Sequence, residues 1–135
     1  MNANAMTSVM SVANAASKYK GVEVGTASPA QIVAMLCGGI LRFVGEASAA
    51  LETQDRARAG DRIGRAMAIV EELLATLDPT HAPELADNLI ALYGFCKRRL
   101  FEANLSQNRQ ALDDVALAII PLKEAWAEIA RSAGK

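Results

Sequence analysis

The residues of this chain best suited to metal or thiol chemistry are Cys37, Cys96 and His81. Two thiolates and an imidazole are zinc ligands, and paired thiols exchange electrons. None of the short intervals that place two ligands on one turn of chain is present. Cys37 and Cys96 fall inside helical segments and read as buried, reduced thiols. His81 lies between Pro79 and Pro83 in a turn, where a lone histidine is usually solvated. The acid pairs Glu71-Glu72 and Asp113-Asp114 are adjacent, so a helix splays them apart. No glycine-rich strand-to-helix loop is available for phosphate, since Gly38-Gly39 lies within a helix. An enzyme, a metal and a cofactor are therefore not expected. A small metal or redox protein built on Cys37, Cys96 and His81 stays the remote alternative.

Composition narrows the class further. The 135 residues carry a net charge of −1, with 52% apolar and only 4% aromatic residues. One domain rich in Ala, Leu, Ile and Val is expected, and that mix favours helices. The run Lys97-Arg98-Arg99 points in three directions around a helix, so nucleic acid is not an expected partner. No segment is expected to provide the ~18–20 apolar residues of a membrane span. The start of the chain lacks a basic stretch followed by an apolar block, so no secretory signal is expected and the cytoplasm is the expected location.

Residues 1–26 are expected to form a mobile tail and arm, and 27–135 a bundle. Ser28, Pro29 and Gln31 make a helix start with a capping box. The first helix runs to about residue 51, with Ile32, Leu36, Ile40, Phe43 and Ala47 inward. The second covers roughly 58–77, with Ile63, Ala66, Val70, Leu73, Leu74 and Leu77 inward, and Asp78-Pro79-Thr80 stops it. The third ends near 105, and the fourth covers roughly 109–130 with Leu112, Val115, Ile119, Leu122, Trp126 and Ile129 inward. Short connections make this an all-α, antiparallel up-and-down four-helix bundle.

The third helix has more apolar surface than one packed face needs. Leu85, Leu89, Leu92, Cys96, Leu100 and Ala103 form one stripe. Ala86, Ile90, Tyr93, Phe101 and Asn104 form a second, with Gly94 as a shallow shelf and Lys97 placed to steer an acidic partner. Leu41 and Val44 on the first helix, and Leu117 and Ile120 near the helix-interior Pro121, are weaker candidates for the same use. Such a surplus suits holding another chain. A self-associating bundle would use it as well.

Several blocks in order carry a family likeness: Tyr19, Thr26-Ala27-Ser28-Pro29, Met35-Leu36, Ala66, Ile69, Glu72-Leu73 and Leu77-Asp78. Leu92-Tyr93, the run Arg98-Arg99-Leu100-Phe101-Glu102-Ala103-Asn104-Leu105, and Ala125-Trp126 complete them. The chain resembles the flagellin export chaperones, the FliS type of flagellar secretion chaperone. Cys37-Gly38-Gly39 and the absence of a second tyrosine in the tail depart from that pattern. The resemblance implies a cytoplasmic helical chaperone, working without ATP. It would bind the disordered C-terminal segment of flagellin, prevent premature polymerisation and deliver it to the type III export gate. Ile90, Tyr93, Gly94, Phe101 and Asn104 would line the groove, with Tyr19 folding its arm over it in the free chain.

Overall fold

Ser28 and Pro29 start the first helix as their chemistry requires. The Ser28 hydroxyl accepts from the Gln31 amide at 3.1 Å, and the Gln31 side chain accepts from the Ser28 amide at 2.8 Å. The computed structural model describes residues 27–75, 77–80 and 82–133. The expected arm with Tyr19, and His81, lie outside them. Among the described residues there are four helices and no strand. They are α1 (Pro29–Glu52), α2 (Arg56–Ala75), α3 (Pro83–Ser106) and α4 (Arg109–Ala133).

The breaks between helices have local causes. Asp55 caps α2 by accepting from the Arg58 amide at 3.1 Å, after Gln54 turns the chain with φ 62°. Asp78 folds back on Thr80, accepting from its amide at 3.0 Å and its hydroxyl at 2.6 Å. α3 ends at Gln107, left-handed at φ 58°, whose amide donates to the Ala103 carbonyl. Asn108 then accepts from the Ala111 amide at 3.4 Å to open α4. α4 continues through Pro121, which has no N–H for the Leu117 carbonyl.

Short connections make sequential helices antiparallel neighbours. α1 packs against α2 and α4, and α3 packs against the same two. The helices thus follow one another around a square, so the α1–α4 and α2–α3 seams lie on opposite sides. Ion pairs tie the remaining seams: Arg62 to Glu46 at 3.3 Å across α1–α2, and Arg99 to Asp114 at 2.9 Å across α3–α4.

Each helix presents an inward row spaced alternately by three and four residues, the pattern that keeps one face toward a partner. In α3 it is Ala86, Leu89, Tyr93, Cys96, Leu100 and Ala103. In α1 it is Val33, Cys37, Ile40, Val44 and Ala47, flanked by buried Ile32 and Leu36. The expected inward Phe43 is only half-buried, while Leu74, Leu77, Leu122 and Ile129 pack at the core margin. By length and composition α1 is apolar enough to cross a membrane, which corrects the sequence expectation. Its apolar residues supply much of the bundle core, because α1 packs more extensively against α2 and α4 than α3 does.

Gly39 fixes how closely α1 and α2 approach. A Cβ there would lie 3.1 Å from Ile69 Cδ1. Gly39→Val is expected to lose about 1–3 kcal/mol in urea unfolding through overpacking. Asp114 is held below its ordinary 3.8, first by the hydrogen bond from Gln110 and then by the Arg99 guanidinium. A lowered folded pKa contributes stability that is complete above the ordinary value and is lost as pH falls through the folded one. The melting-temperature gap between wild type and Asp114→Asn is therefore expected to be widest near neutrality and to close below pH 3.8.

Candidate docking seams

The row that folding leaves uncovered on α3 is the core row moved on by one residue. Leu89, Tyr93, Cys96, Leu100 and Ala103 go inward, and Ile90, Gly94, Lys97, Phe101 and Asn104 follow about 100° away. Phe101 is 63% exposed, Leu105 beyond it is 70% exposed, and Ile90 is also exposed. Tyr93 corrects the expected second stripe. It is 2% exposed and belongs to the core. At ~100° per residue Tyr93 stands about 40° from the mean direction of Leu89, Cys96 and Leu100, and Leu92 about 60°. Tyr93 therefore goes inward, and Leu85 and Leu92 become half-buried flanks.

The exposed row borders α2. Asn104 Oδ1 lies 3.5 Å from where a Cβ on Gly60 would stand. Its side chain makes no hydrogen bond among the described residues, and the Ala103 carbonyl at the helix end is met by the Gln107 amide. Moving along the two antiparallel helices from this contact, the next positions are Gly64 on α2 and Phe101 on α3, then Met67 and Lys97. A Cβ on Gly64 would meet nothing within 4 Å. A glycine costs about 1 kcal/mol against alanine within a helix, and here no neighbour requires it. Gly94 is different, because the Arg98 guanidinium lies over it, 3.4 Å from a Cβ position.

The opposite seam has a related construction. Leu117, 68% exposed, and Ile120 stand outward on α4. Two adjoining hollows of about 510 and 320 Å³ run between α1 and α4. The first is lined by Met35, Ala34, Ala127 and Ala130, the second by Leu41, Ile120, Lys123 and Glu124, and Arg131 borders both. Gly45, one turn along from Leu41, again has open space where a Cβ would be. Val44 does not join it. That candidate is 4% exposed and sits in the core row, since it lies closer than Phe43 to the direction of Ile40 and Cys37. Met35 and Leu105 are additions that the sequence reading missed; Gly45 and Gly64 stand out in the sequence as costly helix-interior glycines, and the open space beside them is what the structure adds. Met35 stands six residues from Leu41, about 120° around the helix, so spacing alone does not place the two in one seam.

Chemistry is weakly represented. Cys37 and Cys96 are buried free thiols, close enough that charge on Cys96 disfavours charge on Cys37. Burial, with that neighbour, pushes Cys37 up to about 12, and burial pushes Cys96 up to about 11. Burial also raises the Tyr93 phenol. Among the described residues no three His, Cys, Asp or Glu side chains converge to hold a metal ion. Both thiols are expected to resist a disulfide reagent at pH 8 in the folded chain and to react once urea unfolds it. Reaction of either in the native chain at the rate of a free thiol would contradict this burial.

Comparison with known proteins gives a consistent picture. The family model described as flagellar protein FliS matches residues 12–133. The flagellar secretion chaperone FliS of Bacillus subtilis strain 168 is 30% identical over 126 residues, 93% of each chain. That of Escherichia coli K12 is 36% identical over 111 residues, 80% of this chain and 82% of its own. The flagellar secretion chaperone FliSB of Pseudomonas aeruginosa is 34% identical over 104 residues, covering 77% and 82%.

Proposed function

This chain belongs to the FliS family of flagellar secretion chaperones, and from that membership we propose that it holds the C-terminal segment of flagellin. Held in this way, the segment is kept from premature polymerisation and delivered to the type III export gate. The cytoplasm, where flagellin is made, is the site of action in this reading, and no catalytic step is needed.

The observation that carries the reading is the uncovered row Ile90, Phe101 and Leu105 beside Gly60 and Gly64. A segment that orders on binding loses conformational entropy, so it needs extensive apolar contact. Each 100 Å² of apolar surface hidden contributes about 2.5 kcal/mol before those costs. Phe101 supplies a large anchor, and Gly64 lets a backbone approach closely beside it. Ile90 and Gly94 extend the contact, and the unbonded Asn104 amide offers hydrogen bonds to an incoming backbone. Leu41, Leu117 and Ile120 form a second apolar seam on the opposite side.

Titration calorimetry with the C-terminal segment of the organism's own flagellin tests this directly. Phe101→Asp is expected to abolish binding while helicity and the emission of buried Trp126, the single tryptophan, stay as in wild type. Unchanged affinity in that folded variant would falsify the α2–α3 groove. Gly64→Ala is expected to stabilise the fold by about 0.5–1 kcal/mol and to weaken binding. If it stabilised the fold without touching affinity, the glycine would have no part in docking.

A further inference from the structure

The charges beside the α3 row carry information about what the row receives. Lys97 stands within it, between Gly94 and Phe101, and the Arg98 guanidinium lies against Gly94. Neighbouring cations have acidic partners: Arg99 has Asp114, Arg62 has Glu46, and Arg65 has Asp61. Lys97 and Arg98 form no ion pair among the described residues. Glu71, in register with Gly64 and Met67 on α2, pairs with neither.

Covering an apolar row that contains an unpaired ammonium and guanidinium costs desolvation unless the covering chain brings opposite charge. We propose that the segment docking in the α2–α3 seam is an amphipathic helix with acidic side chains beside its apolar anchor, paired on docking with Lys97 and Arg98. This rests on the flagellin-binding reading and specifies the chemistry of the segment. In the free chain a guanidinium nitrogen of Arg98 rests over Gly94. On docking, Arg98 turns outward and its planar fork takes a carboxylate, which uncovers Gly94 for an apolar contact. Lys97 acts as a point charge that attracts the segment before contact. The α1–α4 seam differs. Lys123 lies over Gly38, its Cε 3.5 Å from a Cβ position, likewise without an ion pair among the described residues, and it shares its hollow with Glu124.

The test titrates wild type, the double variant Lys97→Met/Arg98→Met, and Arg58→Met with the flagellin C-terminal segment at low and high salt. Methionine keeps an unbranched apolar stem over the helix and removes only the charge. The double variant is expected to bind roughly tenfold more weakly at low salt, mainly through slower association, and to converge on wild type at high salt. Arg58→Met, which removes an exposed charge of α2 outside both seams, is expected to bind as wild type does. If wild type and the double variant bind alike at every salt concentration, the charge pairing is wrong and the docking reading stands. An equal loss in Arg58→Met would trace the effect to net charge and also overturn the pairing. If wild type does not bind the segment, both readings fall together.

Discussion

The rotational setting of α3 about its own axis decides what this bundle shows to solvent. Leu89, Tyr93, Cys96, Leu100 and Ala103 must all reach the core, and a rigid helix offers one rotation that achieves this. Once it is adopted, every residue that follows a core residue is turned outward together. Ile90 and Phe101 are exposed because Leu89 and Leu100 are buried. Moving Phe101 inward would expel the core row, so the uncovered surface is coupled to the packing that stabilises the fold.

Glycines mark where the helices serve something besides folding. Gly39 is accounted for by Ile69, and Gly60 borders Asn104. Gly45 and Gly64 have no neighbour that a methyl group would disturb, although each sits within a helix where alanine is better. Both occur in seams whose other wall carries exposed apolar side chains. A chain selected for stability alone would fill such positions, and leaving them empty is a known form of exchange between stability and activity.

Much of the architecture was legible in the residues. Ser28-Pro29, the Asp78-Pro79-Thr80 stop and the break at Ser106-Gln107-Asn108 are local events with local chemistry, and the helices begin and end beside them. Rotation about the helix axis was less legible. Tyr93 and Leu92 both suit an inward stripe by spacing, as do Val44 and Phe43, and only the joint packing of four helices selects between them. The hydropathy of α1 was underestimated for a related reason: a helix packed so extensively against two neighbours carries apolar residues on its flanks as well as in its inward row. Leu117, Ile120, Phe101 and Ile90 were recognisable because they depart from an otherwise regular inward row.

Pro121 gives α4 an internal joint. With no N–H at that residue, the ladder that ties each turn to the one before it lacks a rung at Leu117. The final turns, which carry Ala127, Ala130 and Arg131 along the α1–α4 hollows, are thereby less cooperative with the first half of the helix. Amide exchange should divide at this point, with the distal unit opening on its own while the proximal one exchanges only with the whole molecule.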